Sequence, residues 1–245
     1  MRVIYGINPL REALKGHGMV SRKLVIATGR GGEPIRKIIE LAKKTEVPVE
    51  YQDRDYLDRQ TKKKSHQGVM GFCDDFVYVS VDDVIANRHR DCKYDLILIL
   101  DGIMDPQNLG SMIRTAYCFG VNGLIIPKDR SAHVTAAVIK ASSGTAGSIP
   151  VAMEVNLSSA IEYLKGKGFW IYGADAVNGQ NIHATDYRGH IAVVMGSEGK
   201  GIRPLIRKKC DYLLSIPMRG EIDSLNVSVA AGIILHEILK TWCDS

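Results

Sequence analysis

Two segments in the last third of the chain contain residue types suited to holding a small ligand. The first reads Met195-Gly-Ser-Glu-Gly-Lys-Gly201, and the second reads Ile216-Pro-Met218 and then Ser224-Leu-Asn-Val-Ser-Val-Ala230. Each follows an apolar run typical of a buried strand, and its glycine, hydroxyl and amide residues allow a ligand to approach the backbone. The chain contains neither G-x-x-x-x-G-K-[ST] nor G-x-G-x-x-G, so a ligand without a polyphosphate is favoured.

A third segment, residues 101–120, follows the apolar run at 96–100 and is expected at the carboxyl end of a parallel strand, where open α/β sheets bind ligands. Pro106 and Asn108 predict the start of a helix, and Gly120 predicts its end. Arg114 falls outside the apolar face of this helix. From spacing alone, the simpler interpretation is that Asn108 is only a helix cap and Arg114 only a solvated charge.

Polar residues in the first two segments have both functional and structural interpretations. Glu198 could bind a ribose hydroxyl, a cation or another loop, but a carboxylate is also favourable near a helix N-terminus. Asn226 and Ser228 are poor residues for the first turns of a Val, Ala, Ile and Leu helix. Helix capping explains one of these two more easily than both, so their pairing indicates function.

Composition restricts the class of protein. The chain has 245 residues, 45% of them hydrophobic and 24% charged, with a formal net charge of +5. This profile predicts a globular, mildly basic protein, compatible with nucleic acid but not diagnostic of it. Five cysteines without C-x-x-C or zinc spacing predict free thiols and no metal site. No signal peptide and no apolar run of membrane-spanning length are evident, so we expect a cytoplasmic protein.

The pattern of elements predicts an α/β protein with two domains. Residues 1–76 form a small α/β unit, 77–93 a charged connection, and 94–245 an α/β domain with a mostly parallel sheet. Strands are predicted at 24–27, 47–51, 69–73, 96–100, 123–127, 149–153, 168–174, 190–196 and 211–216. Helices are predicted at 8–15, 34–44, 52–60, 108–119, 131–142, 156–166, 201–209 and 224–241.

The three segments together resemble the SpoU-type (TrmH-like) RNA ribose 2′-O-methyltransferases of the SPOUT class. The first family motif, N-x-G-x-x-x-R, is present as Asn108, Gly110 and Arg114, and the other two motifs are the segments at 195–199 and 216–230. Residues 5–14 and 66–69 resemble the substrate-binding domain, of ribosomal-protein L30e type, found in part of the family. Residues 127–132 and 169–175 are similar to the RlmB branch, which modifies a guanosine ribose in 23S rRNA.

This resemblance implies a small L30e-like domain, a SPOUT domain with a trefoil knot, S-adenosyl-L-methionine as cofactor, a homodimer and 23S rRNA as partner. It implies that the cofactor is bound by Met195, Gly196, Ser197, Gly199, Ile216, Met218, Leu225, Asn226, Ser228 and Ala230. The catalytic residues it implies are Asn108, Arg114, Glu198, Ser224 and Asn226. RNA would be contacted by Arg114, Lys63, Lys64, His66 and Gln67. For the charged run at 62–64, a solvated surface and a contact with RNA phosphates are equally good interpretations.

In this family the arginine of the first motif is the usual candidate for activating the 2′-hydroxyl. A guanidinium is not readily deprotonated, so we expect Arg114 to stabilise the developing oxyanion and to grip a neighbouring phosphate. Three alternatives remain open at this point. The first is a tRNA 2′-O-methyltransferase, although such relatives generally lack the N-terminal domain. The second is a non-catalytic rRNA-binding assembly factor, and the third is a resistance-type methyltransferase that acts on another rRNA site.

Overall fold

The structure is a computed structural model that describes residues 2–15, 21–73, 75–88, 93–176, 178–220 and 224–243. Its contacts divide the chain into two compact units. Unit 1 comprises Met1–Val77 and Val134–Ile149, and unit 2 comprises Tyr78–His133 and Pro150–Ser245.

Strands and helices alternate along most of the chain. In chain order the strands are β1 Arg2–Tyr5, β2 Ser21–Ala27, β3 Val49–Gln52, β4 Val69–Cys73, β5 Leu96–Asp101, β6 Gly123–Pro127, β7 Val151–Glu154, β8 Phe169–Ala174, β9 Gln180–Asn181, β10 His190–Gly196 and β11 Tyr212–Ser215. The α-helices are α1 Ile7–Lys15, α2 Glu33–Lys44, α3 Arg54–Thr61, α4 Val81–Ala86, α5 Pro106–Cys118, α6 Ala136–Ala141, α7 Leu157–Gly166, α8 Pro204–Arg207 and α9 Val227–Cys243. Short 3-10 helices cover Thr145–Gly147 and Ile182–Ala184.

Unit 1 is built on a four-stranded sheet in the order β1-β4-β2-β3. Strand β4 is antiparallel to β1 and β2, whereas β2 and β3 are parallel. Val25 and Met70 on the sheet pack with Leu57 of α3 in one apolar cluster. The predicted small α/β unit is therefore present, and the short strand β1 is the element that the sequence pattern missed.

The segment Val134–Ile149 belongs to unit 1, although β6 before it and β7 after it belong to unit 2. Helix α6 contacts β1, and the 3-10 helix Thr145–Gly147 contacts α1. Gly144 has a φ of +92°, and a Cβ built on it would lie 2.3 Å from the Cβ of Glu12. Only glycine allows α1 to come this close to the segment. No sequence pattern indicated this return to the first unit.

The segment 77–93, predicted as a connection, contains helix α4. Ser80 caps this helix by accepting a hydrogen bond from the Asp83 backbone N–H, while the Asp83 carboxylate accepts one from the Ser80 N–H. Val81 and Val84 are buried in the main apolar core of unit 2. The helix has only six residues, too few for a helical period to stand out between charged flanks. Residues 89–92 lie outside the described part of the chain.

Unit 2 contains a seven-stranded sheet in the order β7-β6-β5-β10-β8-β11-β9, and each pair of neighbouring strands is parallel. Strand β5 is buried along its whole length, as its continuous apolar run predicts for a strand covered on both faces. Because β5, β10, β8 and β11 are neighbours and parallel, their carboxyl ends meet at one edge of the sheet. The motif segments leave the sheet at this edge.

Helices α5, α6 and α8 are examples of elements whose boundaries differ from those predicted. Helix α5 begins at Pro106 because Asp105 accepts hydrogen bonds from the backbone N–H groups of Gln107 and Asn108. Asp105 is therefore the cap, and the interpretation of Asn108 as the cap is wrong. Helices α6 and α8 are much shorter than the stretches predicted at 131–142 and 201–209, because Ala132–Val134 and Gly201–Arg203 are turn or extended backbone.

Candidate active site

A cavity of about 710 Å³ opens at the carboxyl edge of the unit 2 sheet. It is lined by the loop after β8 (174–176), the end of β10 and the turn after it (195–202), Arg207, the end of β11 with the chain beyond it (Leu214, Ile216, Met218), residues 224–227, and Ala230 and Ile234 of α9. Its size is within the usual range of pockets for small ligands. Each predicted segment of the last third of the chain contributes to it.

A tight turn over residues 197–201 forms one wall of the cavity. The N–H groups of Ser197 and Gly201 donate to each other's carbonyl oxygens at 3.0 and 2.9 Å. Gly199 and Gly201 have φ values of +76° and +64°, conformations that favour glycine. A Cβ built on Gly196 would lie 2.1 Å from the carbonyl carbon of Gly201, so only glycine at 196 permits the chain to fold back here.

The turn is held at its base by an ion pair whose carboxylate is buried. Asp101, at the end of β5, is only 1% exposed. Its carboxylate accepts hydrogen bonds from the Arg203 backbone N–H at 2.8 Å and from Arg203 Nε at 2.6 Å, and Nη2 lies 2.6 Å away. A buried carboxylate satisfied in this way fixes where the chain re-enters the core after the turn.

Asn108, Glu198 and Asn226 form a closed triangle of hydrogen bonds above the turn. Asn108 Nδ2 donates to Glu198 Oε1 at 2.9 Å, Asn226 Nδ2 donates to the same oxygen at 2.9 Å, and it also donates to Asn108 Oδ1 at 3.0 Å. One residue comes from each of the three predicted segments. Glu198 therefore connects the turn to α5 and to the start of α9. Of the interpretations open for Glu198, contact with other segments of the chain is the one that the structure shows.

The side-chain oxygen of Asn226 caps helix α9. Asn226 Oδ1 accepts hydrogen bonds from the Ser228 N–H at 2.9 Å, from the Val229 N–H at 3.4 Å and from the Ser228 hydroxyl at 2.6 Å. The amide thus uses its oxygen for the helix and its nitrogen for the triangle. Ser228 holds the orientation of Asn226, so the two residues that look out of place in an apolar helix act together.

Nine of the ten predicted cofactor residues line the cavity: Met195, Gly196, Ser197, Gly199, Ile216, Met218, Leu225, Asn226 and Ala230. Ser228 does not, and it acts through Asn226 instead. Sequence reasoning missed Ala174, Asp175, Ala176, Lys200 and Arg207, which also line the cavity. Lys200 lies in the first predicted segment but had no role assigned to it, and the others lie outside the three segments. The position of β8 beside β10 puts the loop after β8 at the same edge.

Asp175 and Arg207, two of the lining residues that sequence reasoning missed, form an ion pair at the wall of the cavity. Arg207 Nε donates to Asp175 Oδ2 at 2.6 Å, and Asp175 Oδ1 accepts a hydrogen bond from the Asn178 N–H at 3.0 Å. The pair joins α8 to the loop after β8. It thereby braces this wall of the cavity.

The other predicted catalytic residues occupy different surroundings. Glu198 and Ser224 line the cavity, whereas Asn108 is buried behind it. Arg114 is exposed on α5 and is not among the residues that line the cavity of its own chain. Tyr117, one helical turn further along the same helix, is 44% exposed. The structure therefore brings all predicted catalytic residues except Arg114 to one site.

The predicted RNA contacts of unit 1 also separate into two kinds. Lys63 and Lys64 are exposed, while Gln67 uses its side-chain Oε1 to accept a hydrogen bond from the Ile7 N–H at 2.9 Å. The structure differs from the prediction at His66, because its side chain is only 4% exposed and both ring nitrogens form contacts within unit 1. Burial leaves His66 no surface for direct contact with RNA.

The cysteines and the possible metal ligands were compared with the predictions over the described part of the chain. Cys118, Cys210 and Cys243 are free thiols, and Cys92 lies outside the described residues. In that same part, no group of three or more His, Cys, Asp or Glu side chains is arranged to hold a metal ion. Likewise, no helix there combines the length and the apolar character that crossing a bilayer requires.

Two family descriptions match the chain. The SpoU rRNA methylase family matches residues 95–236, and the RNA 2′-O ribose methyltransferase substrate-binding family matches residues 3–79. The chain is also 38% identical over 237 residues to YacO of Bacillus subtilis (strain 168), a protein named for the TrmH family of tRNA/rRNA methyltransferases. That alignment covers 97% of this chain and 94% of the relative.

Solved structures with a similar fold include the SpoU methyltransferase AviRb from Streptomyces viridochromogenes in complex with the cofactor AdoMet. The TM-score is 0.80 at 22% identity, over 97% of this chain and 89% of that one. An AdoMet-bound rRNA methyltransferase from Sinorhizobium meliloti gives a TM-score of 0.80 at 23% identity, over 98% and 87% of the two chains. These likenesses confirm the predicted fold class.

Proposed function

Because this chain belongs to the SpoU rRNA methylase family, we propose that it transfers a methyl group from S-adenosylmethionine to the 2′-hydroxyl of a guanosine ribose in 23S rRNA. Membership makes it an RNA methyltransferase; the cofactor, the ribose oxygen and the 23S guanosine are our proposal. The observation that carries it is the closed triangle of Asn108, Glu198 and Asn226, which joins all three predicted segments beside one cavity.

The cavity fits S-adenosylmethionine in size and in chemistry. Apolar side chains, including Met195, Ile216 and Leu225, offer surfaces for the adenine ring, and the glycine turn at 197–201 allows close approach to backbone groups. Ser224 and the triangle supply hydroxyl, amide and carboxylate groups at the polar end. When bound, the cofactor supplies an electrophilic methyl group on a positively charged sulfur.

A ribose 2′-hydroxyl is a weak nucleophile at neutral pH, so the chain must polarise it or help remove its proton. We assign Arg114 to stabilising the developing negative charge on the 2′-oxygen and to binding an adjacent phosphate, because a guanidinium keeps its charge and donates in a fork. Ser224 and Glu198 orient the ribose. Asn108 and Asn226 hold Glu198, and therefore act as positioning residues.

We propose that the enzyme is a homodimer in which Arg114 acts at the cavity of the other copy. Arg114 does not line its own cavity, and apolar side chains are exposed near it: Tyr117 is 44% exposed, and Val229 and Ile233 on the neighbouring helix α9 are 50% and 36% exposed. A two-fold contact through α5 and α9 would cover these side chains and supply one arginine to each cavity.

The substrate-binding match over residues 3–79 favours a large structured RNA, and 23S rRNA is our first choice. The alternative is tRNA, since the name of the Bacillus relative includes both. A non-catalytic assembly factor is disfavoured because Asn108, Arg114, Glu198 and Asn226 are all present. An enzyme of ribosomal RNA would act in the cytoplasm.

The test is methyl transfer from labelled S-adenosylmethionine to protein-free 23S rRNA, 16S rRNA and bulk tRNA, with the product mapped by resistance to alkali. Label confined to one guanosine ribose of 23S rRNA is the expected result. Label in tRNA would move the enzyme to the alternative substrate. Cofactor binding with no transfer to free or ribosome-assembled RNA would refute catalysis.

A further inference from the structure

The loop at residues 62–68 of unit 1, here named the basic loop, is held in place by side chains that point inward. His66 Nδ1 accepts a hydrogen bond from the Gly68 N–H at 3.0 Å, and Nε2 lies 3.2 Å from Asp58 Oδ1. An Nδ1 that accepts carries no proton, so the geometry assigns the proton to Nε2, which donates to Asp58. This links the far end of the loop to helix α3.

Gln67 fastens the basic loop on two more sides. Its side-chain Oε1 accepts a hydrogen bond from the Ile7 N–H at the start of α1, at 2.9 Å. Its backbone carbonyl accepts one from Arg30 Nε at 3.2 Å. A Cβ built on Gly68 would lie 2.8 Å from Arg30 Cγ, so glycine there makes room for the arginine stem.

The residues that are not used for fastening are the lysines. Lys62, Lys63 and Lys64 are exposed, and Lys62 and Lys63 have φ values of +53° and +56°. A left-handed conformation is uncommon at a non-glycine residue, and it persists where the surroundings enforce it. The backbone N–H groups of these lysines donate to carbonyls in the last turn of α3, which enforces it here.

Arg30 and the three lysines of the basic loop are the four cations at this surface. Within the described part of unit 1, no carboxylate lies within ion-pair distance of Arg30, Lys62, Lys63 or Lys64. Asp58 is an acidic residue that contacts the loop, and its carboxylate already contacts His66. Positive charge that is held rigidly and left unneutralised is the arrangement expected where a polyanion binds.

From this geometry we infer that Arg30 and Lys62–Lys64 form a preformed surface for consecutive phosphates of the RNA backbone. His66 and Gln67 shape the loop and do not themselves contact RNA. The inference rests on the proposed function in one respect, namely that the polyanion is the RNA substrate. Recognition of this kind positions the RNA without reading its sequence.

The test compares two double variants with equal loss of charge. Lys63→Ala/Lys64→Ala removes two of the inferred contacts, and Lys43→Ala/Lys44→Ala removes two exposed lysines from the end of α2 in the same unit. Affinity for protein-free 23S rRNA is measured over a range of salt concentrations. Each lost phosphate contact lowers the magnitude of the slope of log K against log salt by about 0.7. The Lys63→Ala/Lys64→Ala variant should therefore show a slope smaller by about 1.4 and bind the RNA about tenfold more weakly. The Lys43→Ala/Lys44→Ala variant should match the wild type.

Arg30→Ala should weaken binding in the same assay, with Arg30→Lys restoring part of it through the retained charge. Both double variants should keep the wild-type melting temperature and S-adenosylmethionine affinity, because the substituted lysines are exposed and lie in unit 1. Equal salt slopes for the two double variants, or no 23S rRNA binding by the wild type, would overturn the inference. A wild type that binds RNA but transfers no methyl group would instead refute the proposed function alone.

Discussion

Replacing Asn226 separates the two uses of its side chain. Asn226→Ser keeps a hydroxyl oxygen that can accept the N–H groups at the start of α9, but it removes the amide that donates to Glu198 and Asn108. Asn226→Ala removes both. The serine variant should therefore lose the triangle alone, and the alanine variant should lose the triangle and the helix cap.

The expected sizes follow from the hydrogen bonds. A helix cap is worth about 1 kcal/mol, which corresponds to a fall of about 2–4 °C in melting temperature for a chain of this size. The amide donates to one charged and one neutral acceptor, and solvent access at the site reduces their joint value to about 1–2 kcal/mol. This predicts a loss of about 5- to 30-fold in S-adenosylmethionine affinity for both variants.

Calorimetric titration of S-adenosylmethionine and thermal unfolding without it measure the two effects separately. The serine variant should bind weakly and melt about 2–8 °C below the wild type, because the bonds of the triangle also stabilise the folded chain, and the alanine variant should melt about 2–4 °C lower still. Ser228→Ala is the matched control, because it removes one bond to Asn226 Oδ1 and leaves the backbone cap intact. Wild-type cofactor affinity in the serine variant would refute our account of the triangle, and equal melting of the two variants would refute the cap.

Three further predictions test other parts of the site. Gly196→Ala should abolish cofactor binding, since its Cβ would collide with the returning backbone, whereas Gly199→Ala, with open space around it and only the strain of its positive φ, should lose much less; equal affinities would contradict the packing argument. Arg114→Ala should abolish transfer yet keep cofactor affinity, and coexpression with Gly196→Ala, which should bind no cofactor of its own, should restore about a quarter of wild-type activity if the arginine acts in the partner's site, and none if it acts in its own. Burial raises the pKa of the Cys210 thiol from 9.0 to about 12, so this thiol should resist alkylation near pH 9 in the folded protein while exposed thiols react. The stability that the buried, protonated thiol contributes is present below pH 9 and should be lost as the pH rises toward 12.

Much of unit 2 could be predicted from the sequence because its signals are local. Continuous apolar runs identify β5 and β10 as buried parallel strands, and the glycines at 196, 199 and 201 indicate a tight turn directly after one of them. Once two such turns follow neighbouring strands, a ligand site at their shared edge follows from the topology of parallel sheets.

The contacts between distant segments could not be predicted in this way. Spacing alone made Asn108 a helix cap, but Asp105 takes that place and leaves the Asn108 amide free to bond Glu198. The Asp101–Arg203 pair joins residues 102 positions apart, and nothing local distinguishes Asp101 from an ordinary strand-end residue. His66 looked like a surface residue beside three lysines, yet its ring is turned inward.

The membership of Val134–Ile149 in unit 1 has a consequence for how the protein is made. Chains emerge from the ribosome N-terminus first, and domains generally fold as units during synthesis. The first 77 residues cannot complete unit 1, because α6 and the 3-10 helix after it are made only once β5, α5 and β6 of unit 2 have emerged. Unit 1 therefore remains incomplete while the first part of unit 2 is translated. A stop codon placed after Val77 would release a fragment in which the sides of α1 and β1 that contact residues 134–149 are uncovered.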